Sequence, residues 1–181
     1  MKEVRIHARA GQGAITTAAI LGEALFLEKK FVYVFPHFGA ARMGAPMNAF
    51  LRFDEKLVRM RSQVYNPDYV IIVDATLINA EDCLKGLKDS GIVVTNEKEG
   101  IDIPGHKGSQ KVFSLPATKI AQETIGRPLG NTAILGAFAK ATGEISLESL
   151  LEAVKRRFKV KPSIIEKNQE AIRKGYEYIK I

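Results

Sequence analysis

Glu3-Val4-Arg5-Ile6-His7-Ala8-Arg9 alternates apolar and polar side chains, and Ala10-Gly11-Gln12-Gly13 follows it at once. The alternation predicts a β-strand, and the two glycines predict a tight turn. Residues 14–30 repeat apolar side chains at helical spacing, which predicts an amphipathic helix directly after that turn. A strand, a glycine turn and a helix in this order begin an α/β unit.

The rest of the chain continues this pattern. Apolar runs predict strands at residues 31–35, 69–74, 91–95 and 111–114, and an alternating run predicts one at 47–53. The turn at 54–56 predicts a hairpin into a further strand at 57–62. Helices are predicted after Pro116, at 132–142 with Asn131 as N-cap, after the N-cap Ser146, and from about Ser163.

These elements predict one three-layer α/β domain over residues 1–181. Its sheet is expected to be mostly parallel and Rossmann-like, and the C-terminal third is expected to be helical. Residues 158–181 form a basic C-terminal helical segment within it, and residues 155–174 alone carry eight basic side chains against Glu166 and Glu170. Such a segment is either a solvated helical face or a contact for nucleic acid, an anionic ligand or an acidic partner surface. Few aromatic residues interrupt it, which disfavours nucleic acid.

Composition excludes several classes of protein. Hydrophobic residues make up 46% and charged residues 26% of the 181 residues, so the chain has enough apolar material for a core. No apolar run is long enough to cross a bilayer and no secretory signal is visible, so we expect a cytoplasmic protein with no membrane contact. Cys83 is the single cysteine, so this chain alone cannot supply the four thiolates of an iron–sulfur cluster. We expect the Cys83 side chain to be a buried thiol in a short helix.

The glycine turn is the first candidate site. Gly11 and Gly13 allow the backbone to approach a ligand where the helix N-terminus offers free N–H groups to an anion. A turn that only packs the helix on the sheet explains the glycines equally well. Thr16 stands where a dinucleotide fingerprint has its third glycine, and Phe35-Pro36-His37 replaces the expected acid, so binding of NAD by this chain is disfavoured.

The second candidate is the segment 35–46, with two prolines, two glycines and the side chains of Phe35, Phe38, Arg42 and Met43. A loop of this length is either a partner surface or ligand lid, or a compact surface loop. Arg5, His7 and Arg9 share one side of the first strand, and Arg59 and Arg61 lie on the predicted strand 57–62. This row indicates either a sheet face that meets a polar partner or anion, or a half-exposed strand. Asp74 ends a central strand, where it would face a ligand or cap the next helix.

No Ser–His–Asp set, paired carboxylates or Walker motif is present, and His7, His37 and His106 show no metal-ligand spacing. We therefore expect no catalytic residue and no metal site on this chain.

Several motifs, in order, resemble the gamma subunit of the 2-oxoacid:ferredoxin oxidoreductases. They are His7-Ala8-Arg9-Ala10-Gly11-Gln12-Gly13-Ala14, Phe35-Pro36-x-Phe38-Gly39, Arg42-x-Gly44-Ala45-Pro46, Arg61-Ser62-Gln63, Tyr65-x-Pro67-Asp68-Tyr69 and Asn131-Thr132-Ala133-Ile134-Leu135-Gly136-Ala137. The pyruvate enzyme (pyruvate synthase) is the most similar subtype, and the branched-chain 2-oxoacid enzyme is second. The chain departs from the family pattern at Ala8 and Ala10, where glycines are usual, and at Ala41-Arg42-Met43, where Glu-Arg-Arg is usual.

The resemblance implies a subunit that is required but inactive alone. The complex would convert a 2-oxoacid and coenzyme A (CoA) to acyl-CoA, carbon dioxide and reduced ferredoxin. Thiamine diphosphate and iron–sulfur clusters would lie on other chains or domains of the complex. The partners would be alpha, beta and delta subunits, with ferredoxin as acceptor of the complex. Arg9, Gly11, Gln12, Gly13 and Arg42 are the expected contacts for CoA or a partner subunit. The alternatives are a stand-alone nucleotide-binding oxidoreductase and a basic nucleic-acid-binding module.

Overall fold

The computed structural model describes residues 1–37, 42–101, 109–159 and 161–181. Its strands are β1 (Lys2–Arg9), β2 (Phe31–His37), β3 (Pro46–Asp54), β4 (Tyr69–Ile72), β5 (Ile92–Asn96) and β6 (Lys111–Leu115). Its α-helices are α1 (Ala14–Leu27), α2 (Ala117–Thr124), α3 (Asn131–Thr142), α4 (Leu147–Arg157) and α5 (Pro162–Tyr178). A 3₁₀ helix, Ala75–Asn79, follows β4.

The six strands form one sheet in the order β2-β3-β1-β4-β5-β6. Strands β1, β4, β5 and β6 pair in parallel, whereas β3 pairs antiparallel with both β1 and β2. Five strands therefore run in one direction, which confirms the mostly parallel α/β fold.

The main core lies between the sheet and the five α-helices. Val4, Ile6 and Ile71 on the sheet pack with buried side chains of α1 and α3 such as Leu21 and Phe138. Among the described residues, no helix is both long and apolar enough to span a membrane.

The third layer of the fold is thin. Val70, Ile72 and Val93 pack on the opposite sheet face against Leu77 of the 3₁₀ helix and Cys83 in the turns after it. Cys83 is buried, as predicted, but it lies in a turn and not in a helix. Irregular segments of the chain therefore cover this face of the sheet. Their main-chain N–H and C=O groups need hydrogen-bond partners that no regular helix or strand supplies.

The prediction of a strand at 57–62 is wrong. β3 already has β2 on one edge and β1 on the other, so no edge remains for a hairpin after residue 54. Residues 58–63 lie instead across the thin-layer face of the sheet. Arg52 donates from Nη1 to the carbonyl of Ser62 and from Nη2 to that of Gln63, and Arg61 stacks on the ring of Tyr33. The hairpin of this region is formed by β2 and β3.

Asn131 is also placed differently from the prediction. Gly130 is the N-cap of α3, no side chain caps the helix, and Asn131 is its first residue. Ser146 does cap α4, since its hydroxyl accepts a hydrogen bond from the N–H of Ser149. The Asn131 amide therefore does not cap α3 and lies instead beside Gly13.

Helices α3 and α5 cross unusually closely at two glycines. A Cβ added to Gly136 would overlap the carbonyl of Ile172, and one added to Gly175 would overlap the carbonyl of Ala133. The contact is made by backbone on both sides, so neither helix can yield by moving a flexible side chain.

We expect Gly136→Ala to lower the free energy of unfolding by about 1–3 kcal/mol, because overpacking outweighs the helix preference of alanine, about 1 kcal/mol. Urea denaturation of the full chain measures it. The exposed Glu170→Ala on α5 is the control and should stay within about 0.5 kcal/mol of the parent. An unchanged or higher stability of Gly136→Ala would contradict this close crossing.

Candidate functional site at the carboxyl edge of the sheet

The candidate site lies where the chain leaves β1 and β4. These strands are parallel neighbours, and the connection from β1 runs toward β2 while β4 continues toward β5. Such a change in direction opens a crevice beyond the carboxyl ends of the strands, the usual ligand position in open α/β sheets. The turn with Gly11 and Gly13 and the residue Asp74 both stand at this edge.

The glycine turn has the geometry that its sequence predicts. Gly11 and Gly13 have φ values of 98° and 85°, a region that residues with a side chain rarely adopt. Gly13 is the N-cap of α1, and no side chain caps this helix. Gln12 closes the turn, since its Oε1 accepts from the N–H of Arg9 at 2.8 Å. The first N–H groups of α1 therefore lack a side-chain cap.

The carboxylate of Asp74 joins the two turns. Oδ2 accepts from Nε2 of Gln12 at 2.6 Å and lies 3.3 Å from Nε of Arg9, and Oδ1 accepts from the N–H and hydroxyl of Thr76. Burial alone would raise the pKa of Asp74, but the hydrogen bonds from Thr76 and Gln12 and the charge of Arg9 lower it below its ordinary value. Asp74 thus caps the 3₁₀ helix and also holds the glycine turn.

Residues 42–46 lie against the same turn. The N–H of Ala10 donates to the carbonyl of Ala45 at 2.9 Å, the N–H of Gly44 donates to the carbonyl of Ala10 at 3.0 Å, and Nη1 of Arg9 donates to the carbonyl of Gly44. Arg42 is exposed on this edge, and 86% of Met43 is exposed beside Gly11. The structure therefore brings the two candidate segments together.

Part of the second candidate segment lies elsewhere. Residues 35–37 belong to β2, so the connection is shorter than predicted. Phe38 and Gly39 of the second motif, and His106, lie outside the described residues.

Two clefts open beside the glycine turn. The first, of about 420 Å³, lies at the ends of β4 and β5 and is lined by Gln12, Asp74 and Asn96 among others. The second, of about 560 Å³, lies between the turn, the segment after α2 and the start of α5. We call it the basic cleft; it is lined by Gly11, Gly13, Arg127, Asn131, Lys161 and Lys167 with several further residues.

Three of the five predicted site residues line these clefts. Gly11 and Gly13 line the basic cleft and Gln12 lines the other, whereas the described linings include neither Arg9 nor Arg42. Sequence analysis did not place Arg127, Lys161 and Lys167 beside the glycine turn. Lys161 and Lys167 belong to the basic C-terminal segment, but nothing local connects them with Gly13, about 150 positions earlier in the sequence.

The row of basic residues on β1 faces its own chain. Arg5 and His7 are only 8% and 3% exposed, and Arg5 donates from Nη2 to the carbonyls of Cys83 and Lys85. Both predictions for this row, a face that meets a partner or anion and a half-exposed strand, are therefore wrong at Arg5 and His7. The turns after β4 cover these two residues. Arg59 and Arg61 are exposed and lie on no strand.

His7, Glu81 and Cys83 bring three potential metal ligands within 4.8 Å of one another. However, Nε of Arg5 donates to Nε2 of His7, which leaves the proton on Nδ1, 2.8 Å from Oε1 of Glu81. Burial raises the pKa of the Cys83 thiol to about 12. This group therefore fits a hydrogen-bonded cluster with an unreactive thiol better than a metal centre.

The fold and the site define an α/β protein that presents a glycine turn and two clefts at the carboxyl edge of its sheet. Residues 3–178 match the family model described as Pyruvate ferredoxin/flavodoxin oxidoreductase, so the chain belongs to this family. It is 51% identical over 179 residues to pyruvate synthase subunit PorC of Methanothermobacter thermautotrophicus, covering 99% of this chain and 96% of that protein.

Other relatives agree. A Pyrococcus furiosus protein named as the common gamma subunit of pyruvate/ketoisovalerate oxidoreductases is 49% identical over 98% of this chain and 96% of its own length. The crystal structure of the pyruvate oxidoreductase subunit PORC of Thermotoga maritima matches with a TM-score of 0.84 and 36% identity, covering 97% of this chain and 95% of that one. The chain is thus a gamma-type subunit of this oxidoreductase family.

We expect Asp74→Asn to lower the free energy of unfolding at pH 7 by about 1–3 kcal/mol, since it removes the charge that receives the hydrogen bonds of both turns. The folded-state pKa of Asp74 is lowered, so its contribution is present above the unfolded pKa and is lost as the pH falls through the folded pKa. The difference from the parent should therefore shrink in acid.

Urea denaturation of both chains over a pH series measures this. The exposed Asp89→Asn is the matched control and should differ little from the parent at any pH. A difference for Asp74→Asn that stays constant through the acid range would contradict the role of the carboxylate charge.

Proposed function

We propose that the chain is the gamma subunit of a pyruvate:ferredoxin oxidoreductase. The full-length identity of 51% to a pyruvate synthase subunit is the observation that carries this proposal. The complex would convert pyruvate and CoA to acetyl-CoA and carbon dioxide and pass the electrons to ferredoxin, or run the reverse synthesis. We place it in the cytoplasm.

The chemistry belongs to partner chains in this proposal. An iron–sulfur cluster needs several accessible thiolates, and the single cysteine of this chain is buried. Thiamine diphosphate and the clusters would therefore lie on alpha, beta and delta subunits, as would the choice of 2-oxoacid. The name of the Pyrococcus relative supports this division, because a gamma subunit common to two enzymes does not select the substrate. A branched-chain 2-oxoacid such as 2-ketoisovalerate is the second candidate substrate.

The edge formed by residues 9–13 and 42–46 would face the catalytic subunits and CoA. Arg42 is exposed there, and the side chain of its neighbour Met43 lies beside Gly11. Arg9 and Gln12 are already engaged with Asp74, so they would fix the shape of the edge and not reach far from it. Our assignment for contact with CoA or a subunit is Arg9, Gly11, Gln12, Gly13 and Arg42.

Affinity purification of the tagged full chain from its native cells tests the proposal. The eluate is assayed for CoA-dependent reduction of an electron-acceptor dye with pyruvate, and with branched-chain 2-oxoacids in parallel. Iron-rich partner chains and activity with pyruvate would support it. A chain that purifies alone and without activity would contradict it.

We expect Arg42→Ala in the assembled complex to raise the KM for CoA about threefold to tenfold, or to release partner chains at lower salt, because an exposed charge on this edge is lost. Steady-state kinetics and size-exclusion chromatography measure the two effects. Arg173→Ala, which removes an exposed cation from α5, is the control. Unchanged kinetics and assembly of Arg42→Ala would remove Arg42 from the site.

A further inference from the structure

The segment that follows β3 exposes large apolar side chains on the outside of the thin layer. Leu57, Met60 and Tyr65 fall within nine residues of one another, and Phe31 begins the adjacent strand β2, where it lies opposite Asp54. The four apolar side chains are 47% to 66% exposed. Single exposed apolar residues are normal on a protein surface, but a group of them marks an interaction site.

The backbone of this segment is fixed, so these side chains cannot turn inward. Val58 and Val64 are buried and anchor its two ends. Buried Arg52 donates to the carbonyls of Ser62 and Gln63 between them. The segment is therefore ordered before a partner arrives, which removes part of the entropic cost of binding.

Two arginines accompany the exposed apolar side chains. Arg61 lies 3.9 Å from the centroid of the Tyr33 ring, and Arg59 is exposed. Neither arginine forms an ion pair within the described part of the chain, and Lys56 adds a third cation against the single acid Glu55. We call this group of exposed residues the segment surface; it consists of Phe31, Leu57, Arg59, Met60, Arg61 and Tyr65.

Charge decides which partner fits the segment surface. A second copy of this chain would bring the same surface, and thus the same cations, against it across a two-fold axis. Strand β2 is at the edge of the described sheet, but Pro36 lies in it and cannot donate a hydrogen bond, which disfavours joining the sheets of two copies. A different chain with carboxylates around an apolar patch would pair both arginines.

The segment surface is also well separated from the candidate site. Phe31 is level with the amino end of β1, since Asp54 lies opposite Phe31 and Phe53 lies opposite Lys2. The glycine turn follows the carboxyl end of β1, at Arg9. A partner on the segment surface would therefore leave the glycine turn and its clefts open.

We propose that the segment surface docks another chain of the oxidoreductase, through a patch with apolar side chains opposite Leu57 and Met60 and carboxylates opposite Arg59 and Arg61. Phenylalanine, tyrosine, methionine and arginine are the residues that protein interfaces favour. The inference rests on the proposed function for the identity of the partner, and it adds a second contact surface to the edge formed by residues 9–13 and 42–46.

Hydrogen–deuterium exchange of the full chain, free and in the complex purified from native cells, tests this directly. Among the described residues, no main-chain N–H of residues 57–65 donates to another main-chain group, so regular structure does not protect these amides. We expect them to exchange at least about tenfold more slowly in the complex, because a docked chain excludes water.

The double variant Leu57→Ser/Met60→Ser should raise the Kd for release of the chain at least about tenfold, since the apolar area of both side chains is no longer available for burial. Dilution of complexes purified through each tagged variant, followed by mass photometry, measures it. The control Tyr178→Ser/Ile181→Ser removes exposed apolar side chains from the end of the chain and should change the Kd less than about twofold.

Arg59→Glu tests the charge of the partner patch. We expect it to raise the Kd at least about fivefold at low salt and by less at high salt, because a carboxylate would then face carboxylates. Arg173→Glu makes the same change of charge on exposed α5 and is the control. Thermal unfolding of each free variant should match the parent, which separates docking from stability.

Either of two results would overturn the inference outright. One is equal exchange of residues 57–65 in the free and the assembled chain, and the other is control variants that weaken assembly as much as the surface variants. Sedimentation velocity of the free full chain decides between partners. A monomer supports the proposal, whereas a dimer that Leu57→Ser/Met60→Ser dissociates would show that a second copy covers the surface and would contradict it.

The docking surface and the proposed function fail in different ways. If every surface variant keeps its partner chains, an unchanged Kd and activity with pyruvate, the subunit role stands and the docking surface is wrong. If partner chains protect residues 57–65 but the complex oxidises no 2-oxoacid, the docking surface stands and the proposed function fails. A chain that purifies alone contradicts both.

Discussion

The carboxylate of Asp74 holds the candidate site at the carboxyl edge of the sheet together. Two turns from different parts of the sequence meet there, and Gln12, Thr76 and Arg9 all contact the same two oxygens. A half-buried carboxylate is tolerated because charge-assisted hydrogen bonds replace its water. The glycine turn, and with it Gly13 at the start of α1, is therefore fixed relative to the sheet before any ligand or partner arrives.

Hydrogen bonds from buried charged side chains also hold the thin third layer on the sheet. Arg5 and Arg52 are buried on the sheet and donate to carbonyls of irregular chain at Cys83, Ser62 and Gln63. Regular structure would satisfy such carbonyls by itself, but irregular chain cannot. A guanidinium with five donors satisfies several of them at once. The basic row on β1 is thus internal support, although its pattern in the sequence is also typical of a binding surface.

Local sequence patterns predict most of the strands and helices, because the periodicity of apolar residues depends only on residues close in the chain. They also predict the positive-φ glycines of the turn, because backbone freedom is a property of the residue itself. They fail at residues 57–62, which alternate like a strand, since only the completed sheet shows that both edges of β3 are taken. They fail at Asn131 for a related reason. An N-cap and the first residue of a helix look alike in sequence, and only the structure shows that Gly130 is the N-cap and that the Asn131 amide lies beside Gly13.

The close crossing of α3 and α5 explains why the C-terminal third lines part of the candidate site. Gly136 and Gly175 allow the two backbones to touch, so the start of α5 is carried beside the glycine turn after β1. Lys161 and Lys167 therefore stand at a cleft floor built more than a hundred residues earlier in the chain. Through this packing of small residues, part of the basic C-terminal segment forms one wall of the basic cleft.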